Sequence, residues 1–433
     1  MSMKKAIYDV LLWRGLNFIS VFILNILLAR MLEATGAGSL FYVINNLSLC
    51  ILLLSLCLES GLAFYAASNK SDSYTLSFVA LGWTLLACIL FAAISVVIPA
   101  HLVEMESPYG GWPGICFVAG NLLISFYSAL FSAQRNFITP NLCSLIINVG
   151  LILFFLLNRE PGLSTPLVYA GYFGSFLVQG LVIGILYFSR ARVERSNTPQ
   201  PALVMRVLRY SFVALVSNLV FFLVYRADYW FVEGYCSDLE LGNYIQVSKL
   251  VQWLMLMPML VSTAIFPITA ASGNDGAMAG RIVTLSRIIL YIYLGICAVL
   301  ALTGYWLFEW IFGETYHYMY IIFLLHIPGI LALAMLYPVS AYHAGIKRID
   351  INLQGALAGL LVIAVLNFLF TPRYGIYSAS IISSLGYICY FIFSLLKLSK
   401  RSGSRLRQFF VMDGREFVLL RTMLDRRNGN LNR

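Results

Sequence analysis

The feature that most constrains this chain is a succession of long apolar runs, each bounded by polar or turn-forming residues. Each run is long enough for an α-helix to cross a hydrocarbon layer of ~30 Å. The composition agrees, because 60% of the residues are hydrophobic and only 11% are charged, whereas soluble domains hold about 25% charged residues. The sequence therefore predicts an all-α polytopic membrane protein with about twelve transmembrane helices. The predicted spans are 6–31, 39–65, 75–99, 114–133, 141–157, 166–188, 210–234, 242–270, 284–308, 319–341, 353–370 and 376–396.

The distribution of basic residues predicts the orientation of these spans. If both termini are cytoplasmic, 23 of the 29 Lys and Arg residues fall in cytoplasmic segments, and only Arg159 and Arg373 fall in outer loops. This asymmetry follows the positive-inside rule. The formal net charge of +10 is thereby explained as a topology signal. We therefore expect a multi-pass protein with both termini in the cytoplasm and no nucleic-acid partner.

The longest internal hydrophilic segment, 189–210, divides the spans into six and six. We predict an N-terminal six-helix bundle over 1–195, a basic cytoplasmic linker over 196–209 and a C-terminal six-helix bundle over 210–398. The remaining residues, 399–433, form a predicted basic amphipathic cytoplasmic tail. No outer loop is long enough for a soluble catalytic domain, so the chain is not expected to be an enzyme.

A weak internal repeat connects the two halves. Gly38 is followed thirty residues later by Ser68 in YAASNK, and Gly242 is followed thirty residues later by Ser272 in TAASGN. Because each half has six spans, both copies begin in the cytoplasm and the repeat is parallel. Parallel halves are a common transporter plan in which the substrate site lies at their interface. The pattern predicts two parallel-repeat bundles around a central cavity.

Polar residues inside the first span form one candidate patch of that cavity. Arg14 lies roughly 14 Å deep at ~1.5 Å per residue. Asn17 and Asn25 fall on the same face of the helix as Arg14. Ionisable residues within spans usually face a protein interior or a watery cavity. The alternative for Arg14 is a side chain that reaches back to the cytoplasmic interface.

The eighth span carries a second candidate patch. Lys249 lies roughly 10 Å inside the outer end of this span, and Gln246 and Gln252 flank it three residues away on either side. The alternative is a lysine that reaches the outer headgroups.

Two carboxylates and one more arginine complete the candidate residues. Arg226 lies in the outer third of the seventh span, and Asp228 is about 200° around the helix from it, so the two do not pair directly. Asp228 is either an ion- or proton-coupling residue or an interhelical tie. Glu59, near the cytoplasmic end of the second span, is either a coupling residue or a plain interfacial carboxylate.

The tail and the cysteines indicate what else the chain binds. From Lys397 onwards there are ten basic residues, and apolar residues are interleaved with them: Leu406, Phe409, Phe410, Phe417, Leu420 and Leu424. This composition favours adhesion to anionic inner-leaflet lipids, with docking of a cytoplasmic partner as the alternative. The eight cysteines show no CxxC spacing and the four histidines are scattered, so neither a cofactor nor a metal is expected.

Several stretches resemble bacterial polysaccharide (O-antigen type) flippases of the multidrug/oligosaccharidyl-lipid/polysaccharide exporter superfamily. They are LLARMLEATGAGSLFYV at 27–43, ESGLAFYAAS at 59–68, FSAQRNFITPN at 131–141, and the long element 225–272, with R-x-D, L-G-x-Y and a late Phe-Pro. The count of twelve spans argues against the peptidoglycan-precursor branch, which has fourteen.

The resemblance implies that the chain flips an undecaprenyl-pyrophosphate-linked oligosaccharide to the outer leaflet of the bacterial inner membrane by alternating access. A cationic lumen would hold the pyrophosphate, with Arg14 and Lys249 in that role and Arg226 less favoured because it is shallow. The pathway would be that of lipopolysaccharide O-antigen, capsule or exopolysaccharide. Glycosyltransferases and a polymerase of that pathway are the implied protein partners.

Two alternatives remain open. A drug or cation antiporter of the same superfamily should carry acidic residues in its cavity, whereas the deep charges here are mostly basic. A membrane-embedded glycan polymerase or a scaffold of polysaccharide assembly belongs to a different class. A polymerase would carry a large outer loop with Arg or His, which this sequence lacks.

Overall fold

The computed structural model describes residues 3–68, 73–97, 111–158, 165–190, 201–272, 276–403 and 406–411. Every regular element within these ranges is helical. In chain order the helices are α1 (Met3–Ser55), α2 (Leu58–Ser68), α3 (Ser73–Val97), α4 (Trp112–Ala133), α5 (Ile138–Leu157), α6 (Thr165–Arg190), α7 (Pro201–Arg226), α8 (Asp228–Tyr235), α9 (Asp238–Leu254), α10 (Leu256–Ser272), α11 (Gly276–Phe312), α12 (Met319–Gly345) and α13 (Ile349–Ser402).

Ten helical segments of the described chain are long and apolar enough to cross a membrane. Two of them are long enough for two crossings. The span within α1 has 44 residues and α13 has 54, which correspond to about 66 Å and about 81 Å against a core of ~30 Å. Each contains one non-helical residue, Glu33 in α1 and Gly375 in α13. Divided at these residues, the ten segments give the twelve predicted spans.

The chain divides into two compact units, Met1–Leu219 and Val220–Arg433. The division falls inside α7, not in the hydrophilic segment that the sequence suggested. Of the predicted linker 196–209, residues 196–200 lie outside the described residues, and residues 201–209 are already helical. Pro201 begins this helix, a position that suits proline because the first residues of a helix need no N–H partner.

Close packing between α4 and α6 organises the first unit. A Cβ added at Gly120 of α4 would lie 2.3 Å from the carbonyl carbon of Phe176, and one at Gly180 of α6 would lie 2.7 Å from the carbonyl oxygen of Gly120. Only glycine allows backbones to approach this closely, and small residues serve that purpose in membrane helices. The fourth and sixth spans are therefore held backbone to backbone.

The second unit repeats this arrangement between its own fourth and sixth spans. A Cβ at Gly329 of α12 would lie 2.8 Å from the Cα of Ser384 in α13. Within α13, a Cβ at Gly359 would lie 2.7 Å from the carbonyl oxygen of Gly386, so the two halves of this helix fold back on each other around Gly375. The shared use of small residues between corresponding spans agrees with the predicted parallel repeat.

A break interrupts the second span between α1 and α2. Leu56 and Cys57 both have positive φ, 48° and 54°, which non-glycine residues rarely adopt. The hydroxyl of Ser55 accepts a hydrogen bond from the Cys57 amide at 3.1 Å, and the indole of Trp83 in α3 donates to the Leu54 carbonyl at 2.8 Å. These side chains take over backbone hydrogen bonds that the helix can no longer make, as a lipid environment demands.

The glycine contact in the first unit gives a stability prediction. Gly120→Ala forces a methyl group against the Phe176 backbone, so we expect the free energy of unfolding to fall by about 1–3 kcal/mol. Thermal unfolding of the detergent-solubilised protein, followed by size-exclusion chromatography, measures this.

Gly174→Ala on α6 is the matched control, because nothing lies within 4 Å of the added Cβ. It should leave stability unchanged or raise it slightly, since alanine favours helices over glycine. Equal stability of the two variants would contradict the backbone contact.

Candidate substrate-binding site

Two predicted cationic residues come together in the second unit. Arg226 ends α7, and its Nη2 atom donates a hydrogen bond to Oε1 of Gln252 in α9 at 3.3 Å. The Arg226 guanidinium also lies over the ring of Phe222, 5.6 Å from its centroid. Lys249 lies on α9 three residues before Gln252, so these two side chains are neighbours on the same face of that helix. We call Arg226, Lys249 and Gln252 the cationic cluster.

The cationic cluster has the chemistry of an anion site. Both basic side chains can donate charge-assisted hydrogen bonds to an anion that lies near Gln252. The side-chain carbonyl oxygen of Gln252 holds one guanidinium nitrogen of Arg226 in place.

The two glutamines predicted beside Lys249 have different environments. Gln252 joins the cationic cluster through Arg226. Gln246 is only 1% exposed, and its Oε1 atom has no hydrogen-bond partner among the described residues. Their spacing in the sequence predicted that both glutamines lie on one face of α9. It could not predict which residues of other helices each one contacts.

The polar residues of the first unit form a separate interior network. Asn148 of α5 donates from Nδ2 to Oδ1 of Asn17 at 3.3 Å and to Oγ of Ser20 at 3.1 Å. Gln179 of α6 donates to Oδ1 of Asn148 at 3.1 Å. Ser20, Asn148 and Gln179 are each 4% exposed, so the network ties three helices together inside the unit. Asn17 therefore has a structural partner in this network.

Arg14 and Asn25, the other predicted residues of this face, have contrasting environments. The side chain of Arg14 is exposed and lies over the ring of Phe18, 5.6 Å from its centroid. Asn25 is buried, with 8% of its surface exposed. The predicted face of α1 is thus divided between the exposed Arg14, the half-buried Asn17 and the buried Asn25. Sequence reasoning missed Ser20, Asn148 and Gln179, although each is a polar residue within an apolar run.

Asp228 is the centre of a second interior network. Its Oδ2 atom accepts from the hydroxyl of Tyr244 in α9 at 2.5 Å and from Oγ of Ser383 in α13 at 2.7 Å. The residue is 1% exposed, and its Oδ1 atom has no hydrogen-bond partner among the described residues. One carboxylate oxygen therefore joins α8, α9 and α13.

Glu59 lies in the first turn of α2, directly after the break in the second span. This position places a carboxylate at a helix N-terminus, where the helix dipole favours negative charge. The side chain is half-buried, and its Oε2 atom has no hydrogen-bond partner in the described residues.

Comparison with known proteins yields one family and a set of similar folds. The family model described as "Polysaccharide biosynthesis protein" matches residues 166–321. A search of the curated proteins finds no significant match. The description of the matched family agrees with the polysaccharide-related resemblance in the sequence.

Several solved structures are similar over most of the chain. The lipid II flippase MurJ, in an inward closed conformation, has a TM-score of 0.69 at 15% identity and covers 92% of this chain and 89% of its own. An inward-facing multidrug resistance MATE family transporter of the MOP superfamily has a TM-score of 0.65 at 15% identity, with 91% and 94% covered. A MOP superfamily transporter from Pyrococcus furiosus, described as having a binding pocket of reverse polarity, has a TM-score of 0.59 at 14% identity, with 92% and 96% covered.

These structures confirm the predicted superfamily fold, with two repeat bundles of membrane helices. At such identities they establish the fold alone. The substrate must therefore be inferred from the chemistry of this chain.

The Asp228 network gives a second stability prediction. Asp228→Ala removes the acceptor shared by Tyr244 and Ser383, so we expect a loss of about 1–2 kcal/mol in the free energy of unfolding. Asp228→Asn keeps an acceptor oxygen and should lose less. Thermal unfolding in detergent compares the two, and an Asp228→Ala variant as stable as the parent would show that the network holds nothing together.

Proposed function

We propose that this chain, which has the fold of the multidrug/oligosaccharidyl-lipid/polysaccharide exporter superfamily, flips an undecaprenyl-pyrophosphate-linked oligosaccharide across the bacterial inner membrane. The substrate is a repeat unit of O-antigen, capsule or exopolysaccharide, and the route is alternating access. The observation that carries the proposal is the cationic cluster, in which Arg226 binds Gln252 and Lys249 lies three residues before Gln252 on α9. The description of the matched family, a polysaccharide biosynthesis protein, supports the substrate class.

The physical case rests on the pyrophosphate. This group cannot enter hydrocarbon unaided because its charge would lose its hydration. A guanidinium offers a planar fork of N–H donors that matches phosphate oxygens, and an ammonium offers a compact point charge. Arg226 and Lys249 together provide both. The polyprenyl chain stays in the bilayer while the head group passes along the protein.

The proposed ranking of the cationic residues as contacts for the pyrophosphate differs from the one predicted from the sequence. Depth along the helices favoured Arg14 and Lys249 over Arg226. The hydrogen bond from Arg226 to Gln252, a residue three positions from Lys249 on α9, supports Arg226 as an equal partner of Lys249. Arg14 keeps its proposed role as an additional cation for the substrate. Asn17, bound to Asn148, contributes by holding α1 in place.

A drug or cation antiporter is the second candidate, and one observation favours it. Asp228 is buried and presents one carboxylate oxygen without a hydrogen-bond partner among the described residues, as a cation- or proton-binding residue would. MATE family transporters are also among the similar folds. In our proposal Asp228 and Glu59 are the candidates for ion or proton coupling of the flippase itself. The buried carboxylate of Asp228 is therefore compatible with both a flippase and an antiporter, whereas Arg226 and Lys249 favour an anionic substrate.

Reconstitution of the purified protein into liposomes tests the substrate. Lys249→Gln and Arg226→Gln should each reduce flipping of a pyrophosphate-linked glycolipid about tenfold or more, because each removes a charge-assisted hydrogen bond worth about 1.5–3 kcal/mol. Arg14→Gln should reduce flipping as well. The readout is the rate at which the labelled head group becomes accessible on the opposite leaflet.

Arg373→Gln is the matched control, because Arg373 is an exposed arginine of the same unit over the ring of Tyr374. It should flip at the parental rate, and all variants should be compared at equal thermal stability. Unchanged flipping by the Arg226→Gln/Lys249→Gln double variant would contradict the cationic site. Transport of cationic drugs without flipping of the glycolipid would favour the antiporter.

The partners and the membrane follow from the same proposal. A flippase of this class receives its substrate from membrane-associated glycosyltransferases and delivers it to a polymerase, so both belong near this protein in the inner membrane. With both termini cytoplasmic, the basic tail faces anionic lipids of the inner leaflet.

A further inference from the structure

The segment after the last transmembrane helix is fixed to the protein. Helix α13 ends at Ser402, and Gly403 follows in a left-handed conformation with φ of 67°. A short 3₁₀ turn spans Leu406–Phe409, and Val411 is the last described residue. Phe417, Leu420 and Leu424 of the predicted amphipathic tail lie outside the described residues.

Two side chains of α11 hold the backbone of this segment. Arg287 donates from Nη1 to the carbonyl oxygen of Val411. Tyr291, one helical turn further along α11, donates from its hydroxyl to the carbonyl oxygen of Phe410 at 3.0 Å. Phe409 is fully buried and Arg287 is 2% exposed. The segment therefore covers a charged side chain and inserts one aromatic ring into the unit.

The length of α11 sets the depth of this contact in the membrane. Trp306 and Trp310, near the far end of α11, are 71% and 73% exposed, as expected for aromatic residues at a membrane interface. Tyr291 lies roughly 29 Å along the helix from Trp310 at ~1.5 Å per residue. Since the hydrocarbon core is ~30 Å thick, Tyr291 lies at the opposite interface, and Arg287 lies one turn further into the headgroup region.

The outward side of the segment is apolar and basic. Phe410 and Val411 are 45% and 43% exposed, and the side chain of Arg407 is exposed beside them in the chain. On α11, Tyr291 and its neighbour Ile292 are also exposed, at 38% and 54%. Apolar side chains at this depth with a neighbouring arginine match the boundary between acyl chains and anionic headgroups.

We propose that Leu406–Val411 form an interfacial clasp, in which phospholipids of the inner leaflet cover Phe410 and Val411 while the backbone holds α11 to the end of α13. The lipid keeps the exposed pair out of water, and Phe409 with the two carbonyl hydrogen bonds keeps the segment against the helix. The clasp therefore links the third and sixth spans of the second unit at the level of the headgroups. It requires no particular transported substrate, and it rests on the proposed orientation with the C-terminal tail at the inner leaflet.

Photocrosslinking in liposomes of phosphatidylethanolamine and phosphatidylglycerol tests the occupant of this surface. Phe410→p-benzoylphenylalanine should yield, after irradiation, the intact mass of the protein plus one phospholipid. The same replacement at Ile292 is the positive control, and at Lys347, an exposed residue in the turn between α12 and α13, the negative one. A lipid adduct at position 410 comparable to that at 292 is expected. Crosslinks from position 410 to a second copy of the chain or to another part of the protein, with no lipid adduct, would overturn the proposal.

A second variant tests the attachment without altering the apolar pair. Tyr291→Phe keeps the ring and removes only the donor to the Phe410 carbonyl, so trypsin cleavage after Arg407 should become faster. Tyr305→Phe, an exposed tyrosine of the same helix, should leave the cleavage rate unchanged. Cleavage at the parental rate in Tyr291→Phe, together with lipid adducts at position 410, would overturn the clasp while retaining the lipid contact.

Discussion

The constraint on which this structure depends is that backbone polar groups within a membrane must find partners inside the protein. A helix satisfies almost all of its own N–H and C=O groups, which is why every regular element of the described chain is helical. The exceptions occur where a helix is interrupted, and there a side chain supplies the missing partner. Ser55 and Trp83 do so at the break in the second span, and Asn243 does so by accepting from the amide of Met319 at the start of α12.

Buried side chains follow the same rule at the level of packing. Because lipid gives helices no hydrophobic reason to associate, contact between them relies on close approach and on interhelical hydrogen bonds. Gly120 and Gly180 provide the close approach in the first unit. The Asn148 and Asp228 networks provide the hydrogen bonds, one in each unit. The polar residues of these two networks therefore hold helices together. The cationic cluster differs because both of its ionisable residues, Arg226 and Lys249, are basic.

How much of this could be predicted from the sequence depends on the range of each interaction. Span positions follow from hydropathy, a local property, and the predicted limits agree with the helices to within a few residues at most ends. Helix geometry also gave the separation of Arg226 from Asp228. The partners of these residues lie on other helices, at Gln252, Tyr244 and Ser383. No spacing within one helix reveals them. The start of α7 at Pro201 was missed for a different reason, because the surrounding segment 189–210 is basic and contains two prolines, although residues 201–209 are helical.

The second span does not contain all of the interactions that fix its own shape, because its break is supported from a neighbouring helix. Its two residues with positive φ, Leu56 and Cys57, occupy a conformation that costs about 1–3 kcal/mol each in non-glycine residues. The indole that helps hold it belongs to the third span. The shape of one membrane helix is thus encoded partly in its neighbour. Grafted alone into a related protein without a matching tryptophan, the second span would lose that support and tend to straighten.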